Sequence, residues 1–381
     1  VLPVFFNGSN SLIFQVLGLV HPRLRTGMLP RELVNKSNRV IEVRIGHLIP
    51  YKRIAEVGDE RQVMDFLRMR TYHLRRRRGE KAAPMRRAVF PIQMVEPTKV
   101  DVAPPVSSGL LKAEIEHLPP AQRLLESGGL EVYYAEAVQI PHLLREIGRL
   151  RELTFRAVGE GTGHALDLDR FDDYYVHVFV WNKAKDELVG AYRLGRADEI
   201  VRKLGVQGLY TSTLFRYRRR LLKRLGPALE MGRSFVRQEY QKNYSSLLLL
   251  WKGVAHYVAQ NPDCKILFGP VSVNNDYQSS SRQLLVAFLK MNNFLPDLAR
   301  LVRARKPLRT NPLQVWNLKR QRAVVNDLED VDALIADLES EMKGMPVLLR
   351  QYLRLGGKLL GFNIDPAFSY VLDGLILVDL T

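Results

Sequence analysis

A single cysteine, Cys264, stands in 381 residues. That excludes an intramolecular disulfide framework and any multi-cysteine zinc site, and it fits a reducing, cytosolic compartment. No clustered metal-ligand spacing is present either. The longest uncharged stretch, Val1 to His21, is broken by Asn7, Gly8, Ser9, Asn10, Ser11 and Gln15, so it is not a spanning helix. A basic region ahead of an apolar run, the mark of a secretory signal, is missing, as is an initiator methionine. The chain opens on the strand-like VLPVFF, and we expect it to start in the middle of a fold. Acidic residues are few beside basic ones: 40 Asp and Glu against 57 Lys and Arg leave a net charge of +17. Such a chain attracts nucleic acid, anionic lipid or an acidic protein. Apolar material is plentiful at 46%, which excludes a mainly disordered chain, and the length sets an expectation of two domains.

Residues 1 to about 60 read as strand, turn, apolar helix-like segment and a second strand, Val40 to Gly46, a fragment of an α/β unit. A helical pattern from Asp59 to Leu74 runs into the basic block Arg75 to Arg78. Pro84, Pro91, Pro97, Pro104, Pro105, Pro119 and Pro120 then argue against a continuous core element. The expected organisation is therefore a first domain over 1–75, a proline-rich linker over 76–128 and a second domain over 129–381. In the second domain the patterns predict strands at Glu131–Ala137, Tyr175–Trp181, Leu188–Leu194, Ala228–Val236, Lys265–Val273 and Leu375–Leu380. Helices are predicted after Ile140, over Ser245–Ala259 and near Ser279–Met291. Asp327 to Met342 reads as a solvated amphipathic helix with Leu328, Val331, Leu334, Ile335 and Leu338 on one face.

Two segments carry resemblances. PVFFNGSNS from Pro3 to Ser11, followed by IEVRIGHLIP from Ile41 to Pro50, resembles the later part of a glycerolipid (lysophospholipid) acyltransferase domain. That family's His, four residues, Asp pair belongs upstream of these motifs. His164 with Asp169 has the spacing but lies downstream of both, so it is read as coincidence and the first domain as a remnant without its catalytic pair. Residues 130–300 resemble GNAT-fold acyltransferases that take long acyl chains from a carrier protein, with ornithine-lipid N-acyltransferases (hemolysin-like) nearest by look. N-acyl amino acid and acyl-homoserine lactone synthases stand further off. The residues carrying the match are Arg151, Phe155, Asp169, Asp172, Arg193, Glu230 and Arg233. A Trp expected between Phe155 and Asp169 is absent, which counts against a homoserine lactone product. The resemblance implies an α/β, GNAT-like fold with a mixed central sheet, preceded by the partial α/β acyltransferase fragment, as in a bifunctional ornithine lipid synthase.

An amino acid's ammonium must lose a proton before attacking a thioester, so a carboxylate belongs near the amine. Glu230 is the first candidate, with Asp169 and Asp172 next. Arg193 and Arg233 suit the acceptor's carboxylate or the donor's phosphate through paired hydrogen bonds, with Arg151 and Phe155 beside them. Backbone amides around Ser234 and Phe235 suit a tetrahedral oxyanion if the strand splays there. Where a phosphate-cradling glycine loop would stand, the chain has Gln241, Lys242, Asn243, Tyr244, Ser245 and Ser246. Tyr and Ser in place of glycine fit the single phosphate of the phosphopantetheine of acyl carrier protein better than a pyrophosphate, although the same string also serves as a helix cap.

Basic clusters occur at Arg216, Arg218, Arg219, Arg220, Lys223 and Arg224, and at Arg300, Arg303, Arg305, Lys306 and Arg309. Interleaved with Leu221, Leu222 and Leu225, the first suits an anionic inner-membrane surface or acyl carrier protein. No nucleic-acid module or aromatic stacking platform accompanies them, so no nucleic acid is expected. The expected activity is transfer of a (3-hydroxy)acyl chain to the α-amine of ornithine or a similar amino acid, by a cytoplasmic, peripheral membrane enzyme. No tightly bound cofactor and no metal are expected. A synthase of soluble N-acyl amino acid signals and a silent membrane- or RNA-binding protein are the alternatives.

Overall fold

The strand from Val176 to Asn182 is almost continuously apolar, and its residues 177–181 are all buried. A run like that belongs inside a sheet covered on both faces. The computed structural model describes residues 1–8, 10–35, 40–76, 100–241, 244–308, 328–339 and 343–381. The strands are β1 Val4–Asn7, β2 Glu42–Ile45, β3 Arg123–Ser127, β4 Leu130–Glu136, β5 Val176–Asn182, β6 Glu187–Arg196, β7 Phe215–Tyr217, β8 Ala228–Val236, β9 Ile266–Val273, β10 Val302–Ala304, β11 Lys358–Asp365 and β12 Val371–Asp379. Eight of them form one mixed sheet in the order β11-β12-β9-β8-β6-β5-β4-β3. The mixed α/β class expected from the sequence is the one observed.

The described residues fall into two compact units, one built from residues up to 76 with 328–345, the other from 100–308 with 346–381. In the first, β1 pairs antiparallel with β2, Val4 opposite Ile45, joining the two motif segments of residues 3–11 and 41–50. The helix Glu60–His73 starts at a reciprocal capping box between Asp59 and Gln62 and buries Phe66 beside Ile49. The helix Leu328–Leu338 belongs here and is not a solvated extension of the second domain: Val331, Leu334, Ile335 and Leu338 are buried, and so are Asp330 and Asp337. Their charges are matched. Arg53 bonds Asp330, Arg70 Nη2 donates to Asp337 at 2.7 Å, and the His47 amide donates to the same carboxylate at 2.7 Å. Removing Asp337 strands a buried Arg70. We expect Asp337→Ala to destabilise this unit by about 3–5 kcal/mol, seen as an early transition in thermal melting. An unchanged melting profile would show that the pair contributes nothing. Asp327 and Met342 lie outside the described residues, as do Arg77, Arg78, Pro84, Pro91 and Pro97.

The segment expected to be linker is partly core. The helix Ser108–Glu116 places Leu111 and Ile115 in a cluster with Leu118, Ile140, Leu143, Ile147, Phe179 and Trp181, so residues 100–128 belong to the second unit. The helix Pro141–Ala157 covers this face of the sheet and Tyr244–Gln260 packs on β3 to β6 from another element of the chain. The helix Arg219–Leu225 buries Leu221 and Leu225, which corrects the expectation that its leucines interleave with arginines on an interface. Its exposed residues are Arg219, Arg220, Lys223 and Arg224, a basic face that attracts anions.

One place in the sheet breaks the ladder. β8 and β9 are parallel neighbours, but they pair only from Ala228–Ile266 to Glu230–Phe268 and then part. A Cβ at Gly269 would fall 2.0 Å from the Met231 carbonyl oxygen, so glycine is required where they separate. On its other side β8 carries a bulge against β6: Arg193 faces Gly232 and Ala191 faces Phe235, leaving Arg233 and Ser234 opposite Tyr192 alone. Arg233 adopts φ +52°, a conformation that costs a non-glycine residue on the order of 1 kcal/mol.

Candidate active site

The parting of β8 and β9 opens a cavity of about 140 Å³. Gly232, Arg233 and Ser234 form one wall from the bulge, and Pro270, Val271 and Ser272 of β9 form another. Tyr192 and Tyr352 share a hydrogen bond between their hydroxyls at the cavity wall. Phe155 and Phe368 meet edge to face at 5.4 Å there. The remaining side is acidic, with Glu160, Asp365 and Asp373.

The seven pattern residues divide by what they touch. Arg151 binds Asp172 through two hydrogen bonds, at 2.9 and 2.8 Å, and its Nε donates to the Asp167 carbonyl at 3.0 Å. Arg193 Nη1 donates to Asp169 at 2.7 Å and lies 3.1 Å from Asp172. Asp172 in turn accepts the Asp169 amide. Burial pushes the Asp172 carboxyl up, but Arg151 and Arg193 outweigh it and hold the carboxyl well below the usual range. Arg151, Asp172 and Arg193 are each about 1% exposed; they form a closed ionic network under the cavity and do not line it. Asp169, more open, belongs to the same network. His177 is buried on β5, bonded to the Asp172 carbonyl, and pushed down to about 4 by burial. It is a packed strand histidine.

Glu230, expected as the proton acceptor, is also placed behind the wall. Its carboxylate takes the Thr211 amide at 2.6 Å, the Tyr210 amide at 3.1 Å and the Tyr175 hydroxyl, and it is 1% exposed. Burial raises its proton affinity, and its partners fix the turn that carries Tyr210 to the cavity wall. Glu230 positions; it does not reach the space.

Arg233 is different. It lines the cavity; its guanidinium lies 5.2 Å from the Tyr210 ring centroid and 4.8 Å from that of Phe368, and pairs with Asp167 at 3.5 Å and Asp169 at 3.7 Å. Its buried Nε has no hydrogen-bond partner among the described residues. A cation held on aromatic faces with an unused donor is prepared for an anion.

Phe155 and Ser234 line the cavity. Gln241 does not: its side-chain amide donates to the Val236 carbonyl. Ser245 opens onto a separate groove with Tyr240 and Lys252. The side chain of Tyr244 and residues 242 and 243 lie outside the description, as does Arg309. Cys264 is buried, its thiol pushed up to about 11 by burial, and it is inert. Among the described residues no group of His, Cys, Asp and Glu could hold a metal ion, and no helix is long and apolar enough to cross a membrane.

Sequence reasoning missed Glu160, Asp365 and Asp373. Asp373 accepts a hydrogen bond from the Ser272 hydroxyl at 2.7 Å. Burial, reinforced by Asp365 and Glu160, pushes it up to about 8 despite that bond. Glu160 is pushed up to about 7, by burial first and then by Asp276. The available signal was a lone acid inside the apolar run VLDGLILV of β12.

An acetyltransferase (GNAT) domain family matches residues 150–252, the stretch that carries the ionic network and the bulge. A glycine N(alpha)-acyltransferase of Phocaeicola vulgatus is 30% identical over 73% of this chain and 88% of its own length. An L-ornithine N(alpha)-acyltransferase of Rhodobacter capsulatus is 30% identical over 62% of this chain and 85% of its own length. Among solved structures, the AHL synthase LasI aligns over 66% of this chain and 90% of its own with a TM-score of 0.34 and 10% identity; a likeness at that level carries no argument.

Proposed function

The chain belongs to the GNAT-domain family of amino-acid Nα-acyltransferases, and from that premise we propose that it moves a (3-hydroxy)fatty acyl chain from acyl carrier protein to the α-amine of ornithine or a similar amino acid, making a lyso-aminolipid. The observation that carries the reading is a small cavity lined both by the cation Arg233 and by the acids Glu160, Asp365 and Asp373. A zwitterionic amino acid fits that polarity, carboxylate toward Arg233 and amine toward the acids. The bulge beside it leaves β8 with one residue unpaired, and an unpaired backbone amide near Ser234 is the kind of donor that stabilises a tetrahedral oxyanion. The donor thioester then lies along the parted strands.

The choice of carrier protein over a CoA ester is supported by the lack of glycine at positions 244–246 and by the basic face of the helix Arg219–Leu225, which suits an acidic carrier or an anionic inner leaflet. Purified protein, acyl carrier protein loaded with a labelled 3-hydroxyacyl chain, and a panel of twenty amino acids plus ornithine test the reading by mass spectrometry. We expect N-acyl product, most with ornithine, and a kcat/KM at least tenfold lower with acyl-CoA of the same chain length. Equal use of the two donors would remove the carrier-protein argument. Glycine as the preferred acceptor would move the acceptor assignment toward that of the Phocaeicola relative.

A further inference from the structure

We infer that Asp373 is the catalytic residue that takes the proton from the acceptor's ammonium, in place of Glu230. The assignment rests on the amino-acid N-acyltransferase reading above and deepens it. A base must touch the amine, and Glu230 has its oxygens engaged by Thr211, Tyr210 and Tyr175 and does not line the cavity, whereas Asp373 lines the cavity together with Arg233.

The surroundings of Asp373 fit the task. From β9 the Ser272 hydroxyl holds one carboxylate oxygen at 2.7 Å, which fixes the side chain and leaves the other oxygen available. From the end of β11 Asp365, from the loop after the helix Pro141–Ala157 Glu160, and from β8 Arg233 all act on it electrostatically. Two more acids beside a buried carboxyl raise its proton affinity, and an incoming ammonium opposes them. The acceptor therefore brings the charge that ionises its own base. Arg233 holds the acceptor's carboxylate, so the amine is turned to the acid wall and not away from it.

The proton accounting closes. The ammonium gives one proton to the Asp373 carboxylate. The neutral amine forms the C–N bond at the thioester carbonyl carbon. The tetrahedral intermediate expels the thiolate as the C–S bond breaks, and the second proton leaves the nitrogen and ends on the thiol sulfur. Asp373 returns its proton to water through the cavity mouth.

The test is the pH dependence of kcat/KM for ornithine with acyl carrier protein as donor. A base with a raised pKa must be deprotonated to work, so the wild-type rate rises with pH through the region near 8. The acceptor amine also titrates in alkali, but identically for every variant. Asp373→Asn is expected to lose about 10²-fold or more in kcat/KM and to lose this limb, while Asp373→Glu restores part of both. Since Asp373→Asn alters a buried site, Ser272→Ala provides the milder check. Losing the hydrogen bond that favours the carboxylate should move the limb to higher pH with the melting temperature little changed. The inference fails if Asp373→Asn keeps the wild-type rate and limb, if the limb stays in place in Ser272→Ala, or if Glu160→Gln abolishes the limb while Asp373→Asn does not. Absence of any N-acyl amino acid from wild-type protein would instead overturn the proposed function itself.

Discussion

Arg233→Gln is expected to raise the KM for the acceptor amino acid by roughly 10²-fold or more, because two charge-assisted hydrogen bonds to a carboxylate contribute about 1.5–3 kcal/mol each. The fold should survive the change. Arg233 pairs with the buried Asp167 at 3.5 Å and with Asp169 at 3.7 Å, but Asp167 keeps Arg151 Nε at 3.5 Å and Asp169 keeps the Arg193 Nη1 hydrogen bond at 2.7 Å, so neither carboxylate loses its last counter-charge. Arg233→Lys keeps the charge but not the planar fork and should recover only part of the affinity. Initial rates over a range of acceptor concentrations at saturating donor decide the matter. A normal acceptor KM combined with a raised donor KM would transfer Arg233 to the donor's phosphate, and no change in either would remove it from the site.

The opposite behaviour is expected of Arg151, in the closed ionic network. Arg151→Met should cost the second unit about 3–5 kcal/mol, since it leaves Asp172 buried with half its counter-charge and the Asp167 carbonyl without its donor. For a unit of this size that lowers the melting temperature by roughly 6–20 °C. The pH dependence identifies the cause. Asp172 is held below its unfolded value, so its contribution is fully present above about pH 4 and is lost as pH falls through the folded value. The gap between wild type and Arg151→Met should therefore narrow as the pH is taken below about 4. A gap that is small at neutral pH, or independent of pH in that range, would mean that the network contributes little to folding.

These two arginines show what the sequence could and could not reveal. Both belong to one pattern and both look like anion-binding candidates, yet one is walled in and the other lines the cavity. The difference is made by the bulge. In a regular strand Arg233 would point away from the face that carries Gly232's neighbours at 230 and 234; the extra residue opposite Tyr192 resets that alternation. Gly232 inside the strand pattern marks a candidate bulge, but it does not fix which residue is displaced. The strands around it were legible because apolar runs such as YYVHVFVW are buried on both faces, and the helix after Ile140 because its apolar stripe covers the sheet. The acidic wall was not legible because Asp373 meets Ser272 across 101 residues of sequence, a juxtaposition fixed by β12 joining the sheet between β9 and β11. The helix Leu328–Leu338 looked solvated because its acids suggested water, whereas in the fold they meet Arg53 and Arg70.

That last helix also sets an order of events during synthesis. Arg70 waits for a carboxylate that lies 267 residues further along the chain. At about 5–20 residues per second the ribosome needs roughly 15–50 seconds to supply it. Over that interval the sheet from β3 to β9 can already pair, while the first unit stands with a cationic gap in its core.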